Sequence, residues 1–549
     1  VNARLEKILP VALVLCAVSL YLVKRSAGLP ALYYPLLVVI ALFCAAAARP
    51  GLARLIHPES ISDRNAKTVL AAIVAFFFIV FTTLAICKYN AFSLRMFDFG
   101  LMDQAIWNTA HGRLLEVTES DVPFDNVSRL STHVEVIYLA FSALYRIFSD
   151  PRVLFAAQTV FVCGAILLVF VIARMTLADN AKALAAAGAA ALFPALQFMV
   201  LFDFHGDVLS IPFFLLSYLG YLKKKGWLFW SGLVCALFCK EYAGLAAMGY
   251  GCALMAVHRD WKRGAAVSVL GAAYFLAAYY LLVPLFNHGG EASIAAQDYG
   301  DVGGDRGLGG MLGFAWSHPL AFTAKVITMK NAESLFYLFF PLAFLPALSP
   351  AFLLGAAPIF FKDMLFGMDI GNHHLACAMP FVFISFIYGI KRCEKIMENP
   401  RCKRPMAAFG LPLLLVCVMS VMASYFYGPS PLGHRFWRGR DMYMVSSHAR
   451  ECEAVIKTIP AAARISVSDN LEPRLTHRQY CYVFPAPFAH SSLSQEKVEY
   501  ICIDTTFRLS LGWGDSSFTD QTLPFIRSMR FDSIMERDGV YLFKKGGVK

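Results

Sequence analysis

The sequence predicts a polytopic α-helical membrane protein of about 13 transmembrane helices, closed by a small extracytoplasmic α/β domain at the C-terminus. Three observations lead there. Apolar residues fill 58% of the 549 positions and charged residues only 16%, where a soluble chain carries about 25% charge. The apolar residues fall in runs approaching the roughly 20 residues that cross a bilayer as a helix. After about residue 430 those runs give way to short segments bounded by turn residues.

The runs lie at 8–23, 33–48, 69–87, 153–173, 182–202, 208–222, 227–239, 242–257, 265–286, 335–349, 351–361, 375–390 and 407–427. Several are short or broken by Pro and polar residues, which membrane helices tolerate where neighbours satisfy the freed backbone groups. The run Ile8–Val23 follows Arg4 and Lys7 as in a signal peptide. No clear small-residue cleavage site accompanies it and a second run begins at once, so a retained first span is expected. Residues 1–68 then add two helices to a core at 69–428, and 429–549 form the terminal domain.

A net charge of +11 invites a nucleic-acid partner, but the basic residues sit in short clusters between apolar runs, which argues for cytoplasmic loops and against nucleic acid. The clusters are Arg49, Arg54, Arg64 and Lys67; Arg174 and Lys182; Lys223, Lys224 and Lys225; Arg259, Lys262 and Arg263; and Lys391, Arg392, Lys395, Arg401, Lys403 and Arg404. All fall on one side if 137–148 does not span. That segment is therefore expected as a helix lying at, or re-entering, the outer surface. The N-terminus is then cytoplasmic, and 88–152, 203–207, 287–334, 362–374 and everything beyond 428 lie outside, on the periplasmic face of a bacterial inner membrane. The 14 cysteines form no CxxC pair and mostly serve as small buried hydrophobes. Cys481 and Cys502 are the pair that could bridge in an oxidising compartment.

Ionisable groups at the ends of apolar runs are costly unless solvated, paired or used. Asp98, in Phe97-Asp98-Phe99-Gly100, reads either as a helix cap followed by an exposed Asp103, or as a working carboxylate supported by Asp103. The acidic stretch Glu116 to Asp125 leads to His133 and Glu135. In Phe202-Asp203-Phe204-His205-Gly206-Asp207, either Asp suits a cap, which leaves His205 as the working residue. Lys240-Glu241 is an internal ion pair or a substrate-binding pair, and a lysine suits phosphate as a point charge. Lys362-Asp363 and Asp369 precede His373-His374, which could bind a metal, position a phosphate or act as a base. The Gly-rich loop 287–334, with Asp298, Asp301, Asp305 and Arg306, fits neither a Walker nor a calcium loop. It is expected as a mobile lid or a disordered connector.

The basic patch His434, Arg435, Arg438 and Arg440 faces an anionic partner outside, such as phosphate headgroups. An amphipathic helix is expected near 447–459, with strands at 464–468, 480–484, 498–503 and 540–544. Asp469, Glu472, Arg474, His477 and Arg478 lie among them, without a nucleophile elbow or a metal-ligand spacing.

FDFGLMDQAIWNTAHGRLL, His133, FHGDVLSIPF, KEYAGL, the HH before a proline-ended apolar span, and SVSDNLEPRLTHRQYCYVFP occur in that order. In them the chain resembles the DUF2079 family of polytopic membrane proteins, over most of residues 70–545. That family looks related to the GT-C superfamily of membrane glycosyltransferases. The resemblance implies a GT-C-like fold and an integral membrane glycosyltransferase. Such an enzyme moves a sugar, with inversion, from a polyprenyl-phosphate carrier to an extracytoplasmic lipid, glycan or protein acceptor among membrane lipids. It implies Asp98 as base, with Asp103 and His205 in support. Substrate contacts fall to His133, Asp207, Lys240, Glu241, His373, His374, Arg435 and Arg438, and Mg²⁺ or Mn²⁺ is the candidate cofactor. The rival is a transporter or flippase for a lipid-linked or anionic substrate, which predicts charges buried mid-span and internal repeats.

Overall fold

The structure is a computed structural model that describes residues 37–42, 61–118, 127–287, 299–304, 307–397, 411–488, 497–507 and 521–546. The run 8–23, most of 33–48, and Asp298, Asp305 and Arg306 lie outside the described residues.

Helix α1 (Asp63–Asn90) starts where the Ser62 hydroxyl accepts from the Asn65 N–H at 3.2 Å, a side-chain cap for an otherwise orphaned donor. A single π turn, Met96–Gly100, then leads into α2 (Leu101–Ala110). Strands β1 (Glu116–Val117) and β2 (Val127–Ser128) pair antiparallel, and α3 (Tyr138–Tyr145) precedes α4 (Arg152–Leu177). With eight residues, α3 is about 12 Å long, too short to cross a bilayer. Helices α5 (Asn180–Ala191) and α6 (Pro194–Leu201) bend by 47° at their junction, where Pro194 supplies no N–H to continue the first helix. There follow α7 (Gly206–Leu222), α8 (Gly226–Leu237), α9 (Ala243–His258) and α10 (Trp261–Phe286).

The loop expected at 287–334 is largely helical where described: α11 (Gly307–Ser317), α12 (Pro319–Val326) and α13 (Met329–Phe339) fill it, and Lys325 on α12 pairs with Asp301. A disordered connector does not describe that stretch. The two spans expected at 335–349 and 351–361 are replaced by α13, 3₁₀ turns at Phe340–Leu342, Leu345–Leu348 and Pro350–Gly355, and α14 (Ala357–Phe366). Pro341, Pro346 and Pro350 each remove a helical donor, and Ala343 and Phe344 turn left-handed at φ 51° and 55°. Hydropathy alone does not register either effect. The bundle ends with α15 (Ala376–Met397) and α16 (Leu411–Tyr427).

Among the described residues four helices (α1, α4, α10 and α15) are long and apolar enough to cross a membrane, and the bent α5–α6 pair makes a fifth. Helices α7, α8, α9 and residues 412–427 of α16 are apolar but shorter. Of the 13 expected spans, the remainder are thus the broken 335–361 segment and the N-terminal runs.

The helix ends sort into two groups. At one end, Lys88 of α1 lies 2.5 Å from Asp203 before α7, and Lys240 before α9 lies 3.3 Å from Glu135 before α3. At the other, Asn180 donates to Asp63 at 2.8 Å, and Lys182 pairs with Glu394 at 2.5 Å. There too the Tyr218 hydroxyl meets His258 at 3.2 Å and Tyr388 at 2.8 Å.

Beyond the short α17 (His434–Arg438), helix α18 (Ser447–Ile456) buries Ala449, Cys452, Val455 and Ile456 against a five-stranded sheet. Its strands are β3 (Ile465–Val467), β4 (Cys481–Val483), β5 (Tyr500–Asp504), β6 (Phe531–Arg537) and β7 (Val540–Lys545), in the order β4-β3-β5-β7-β6. Strand β3 runs parallel to both neighbours, and the remaining pairs are antiparallel. Cys481 and Cys502 are buried free thiols on β4 and β5, with β3 between them. Two strand spacings are about 10 Å, beyond disulfide reach, so these two cysteines do not bridge.

Candidate active site

The π turn after α1 is clamped from the C-terminal unit. Asp469, just past β3, accepts from the Met96 N–H at 2.9 Å. A Cβ at Gly100 would run into the Glu472 carboxylate, so glycine is what lets the unit come this close. Asp98 lies inside this turn, half-buried, and does not cap α2. Burial pushes its carboxyl up to about 6; the charge of Asp203 adds to the rise, and Lys88 opposes it. Among the described residues no hydrogen bond or ion pair engages Asp98.

Asp103 has a different setting from the exposed one expected. It is fully buried on α2, where Tyr145 donates to Oδ1 at 2.5 Å, the Thr476 hydroxyl donates to Oδ2, and His477 Nε2 lies 3.3 Å away. The C-terminal unit covers it, so the carboxylate ties α2 and α3 to the 476–477 turn. Next to it, Gln104 donates to the Thr118 hydroxyl at 3.0 Å and to the Arg478 carbonyl at 3.1 Å. Glu472 is buried, and among the described residues neither of its oxygens has a hydrogen-bond partner. Burial first, then the nearby Asp469 and Asp103, raises its carboxyl far above the ordinary range.

The short turn before α7 carries the second half of the site. Asp203 is held left-handed at φ 88°; its carbonyl accepts from Gln158 at 2.5 Å and its carboxylate pairs with Lys88. Gln158 also accepts from the His205 N–H at 2.8 Å. Neither Asp203 nor Asp207 caps α7; His205 occupies the cap position without a side-chain bond. The His205 ring stacks on His373 at 3.6 Å, and His373 Nδ1 lies 2.7 Å from Asp207 Oδ2. His374 stacks in turn on His373 at 4.5 Å.

The Lys240-Glu241 pair is not an ion pair with itself. Lys240 turns to Glu135, which Arg129 also binds at 3.1 Å, while Glu241 takes His133 at 2.8 Å and the Val134 N–H at 2.9 Å. The two halves meet at Gly206, where a Cβ would lie 2.5 Å from the Cys239 carbonyl and 3.4 Å from Glu135. Lys362 and Asp363 do pair, at 2.6 Å. Three buried atoms in this cluster have no hydrogen-bond partner among the described residues: His205 Nδ1, Asp207 Oδ1 and Asp363 Oδ2. Buried polar atoms are nearly always hydrogen-bonded, so three such atoms in one cluster single it out as the candidate site.

The structure thus gathers His133, His205, Asp207, Lys240, Glu241, His373 and His374, with Asp98 at the neighbouring turn. Arg435 and Arg438 are not among them: both are exposed on α17, where Arg435 covers the Phe198 ring at 4.9 Å. Arg129, Gln158 and Lys88 also contact the cluster, through Glu135, His205 and Asp203 respectively, though each looks in the sequence like an ordinary loop cation or a lone polar residue in an apolar run. Among the described residues, no group of three His, Cys, Asp or Glu ligand atoms converges around Asp98 or the histidines, so no step is assigned to Mg²⁺ or Mn²⁺ there.

No curated protein matches the sequence. Among solved structures the chain is similar to the Archaeoglobus fulgidus oligosaccharyltransferase in complex with zinc and sulfate. The identity is 16% and the TM-score 0.36, over 77% of this chain and 68% of that one. Residues 88–542 match the family model described as predicted membrane protein (DUF2079), and with most of its length inside that match the chain belongs to this family.

Proposed function

We propose that the chain is an integral membrane glycosyltransferase of the GT-C kind, moving a sugar from a polyprenyl-phosphate carrier to an acceptor hydroxyl on the outer side of a bacterial cytoplasmic membrane. The observation that carries this reading is Asp98: a half-buried carboxylate, unengaged among the described residues, with its pKa raised to about 6. A general base works best when its pKa lies near the operating pH. In the reaction Asp98 takes the proton from the acceptor hydroxyl, and the acceptor oxygen attacks the anomeric carbon opposite the phosphate. The carbon–oxygen bond to phosphate breaks, and its electron pair leaves with the polyprenyl phosphate. The configuration inverts.

Asp103 holds the turn in place through Thr476 and Tyr145, which makes it a positioning residue. The orphaned His205 Nδ1 and Asp207 Oδ1 suit the hydroxyls and phosphate of the donor, with Lys240 supplying positive charge nearby. The test offers polyprenyl-phosphate sugars to purified protein in lipid discs and measures carrier release. Asp98→Asn should lower turnover by about 10²-fold or more while leaving the melting temperature at neutral pH no lower. Unchanged turnover removes Asp98 as base. Vectorial movement of an intact lipid-linked substrate, without carrier release, selects the transporter.

A further inference from the structure

Helix α18 carries His448 and Cys452 four residues apart, on one face. That face meets the C-terminal end of β5, where Asp504 closes the strand. His448 Nε2 lies 3.1 Å from Asp504 Oδ2 and 3.5 Å from Cys452 Sγ, and the three atoms all fall within 4.8 Å of one another. For a tetrahedral zinc ion with ordinary bond lengths, ligand nitrogen and oxygen sit about 3.3 Å apart, and nitrogen and sulfur about 3.5 Å. Cys452 and Asp504 are buried and His448 is partly open to solvent, which leaves an entry path.

The surrounding shell has the form that metal-bound histidines require. His448 Nδ1 lies 3.0 Å from Asp538 Oδ2, the carboxylate partner that fixes the tautomer and aims the other nitrogen at a metal. With the Nδ1 proton committed to Asp538, a neutral ring turns a lone pair at the Asp504 carboxylate. That is repulsive unless a proton or a cation lies between. Asp504 is fixed as well: Oδ1 accepts from the Thr506 N–H at 2.9 Å and its hydroxyl at 2.7 Å, and Oδ2 accepts from Asn470 at 2.8 Å. Asn470 Oδ1 is a further buried atom without a hydrogen-bond partner among the described residues.

We propose that His448, Cys452 and Asp504 bind a zinc ion through Nε2, Sγ and Oδ2. The fourth position falls to water or to the Thr506 hydroxyl, whose Oγ1 lies 3.0 Å from His448 Nε2. Burial pushes the Cys452 thiol up to about 12 in the metal-free protein, so loading releases its proton to solvent. The ion joins α18 to the sheet, and Asn470, which donates to its Asp504 ligand, is next in sequence to Asp469, which holds the Met96 turn. The rival is a charged His448 bridging Asp504 and Asp538 with no metal.

The test uses the full chain in detergent, stripped of metal and titrated with Co²⁺ and then Zn²⁺. Wild type should bind one equivalent, give a thiolate-to-cobalt charge-transfer band with tetrahedral d–d absorption, and lose both to zinc. Cys452→Ser should abolish the band. Asp538→Asn, on an exposed residue outside the ligand set, should keep it and weaken zinc binding by about 10–100-fold. A band that is absent in wild type, or one that persists unchanged in Cys452→Ser and so reports another of the 14 cysteines, overturns the proposal.

Discussion

Asp98 and Glu472 are two carboxyls on opposite sides of one contact, both raised by burial. Asp98 ionises near pH 6, so a transfer reaction that uses it as base should rise as pH climbs through 6 and level off above 7. Asp98→Asn should lose that limb of the profile. The folded pKa lies above the ordinary 3.8, so the folded chain holds this proton more tightly than the unfolded one. The stability it contributes is complete below about pH 4 and lost as pH rises through 6. Glu472 follows the same sign over a window reaching higher. Glu472→Gln keeps the shape and removes the cost of ionisation, so its melting temperature at pH 8 should equal or exceed that of wild type. A fall of several degrees would show a charged Glu472 with a partner.

Gly206 is where element packing and site chemistry meet. Gly206→Ala drives a methyl against the Cys239 carbonyl and should cost about 1–3 kcal/mol, seen as a lower melting temperature. It should also loosen the Lys240–Glu135 contact. Gly226 starts α8 with nothing within 4 Å of an added Cβ, so Gly226→Ala should be neutral or slightly stabilising. The placement of most helices and of strands β3, β4, β5 and β7 was legible because hydropathy and alternation report burial directly. Strand β6 was not: most of its side chains are exposed, so it shows no apolar alternation. The signal that could have found it is Asp538-Gly539, both at positive φ, the two-residue turn that joins hairpin strands. The segment 335–361 failed for the opposite reason, because a high apolar content hid three proline stops. The residues of the histidine cluster were legible as ionisable groups at the ends of apolar runs, but their pairing was not, since Asp207 and His373 lie 166 positions apart.

At the scale of the whole molecule, the C-terminal unit is held to the segment between α1 and α3 by Asp103, Gln104, Met96 and the Gly100–Glu472 approach. Removing the buried carboxylate in Asp103→Ala should cost about 1.5–3 kcal/mol and expose the 476–478 turn to protease without melting the bundle. A cycle with Thr476→Val should return a coupling of about 0.5–3 kcal/mol. No coupling would mean that Asp103 does not hold the two parts together.

The separation of these partners also fixes an order of events during synthesis. Asp103 and Thr476 are 373 positions apart, and at 5–20 residues per second the ribosome takes roughly 20 to 75 s to cover that distance. For that interval the segment carrying Asp98 and Asp103 exists without the surface that covers it. A nascent chain stalled or cleaved before residue 476 should therefore present this segment to quality-control proteases, however well its helices have inserted.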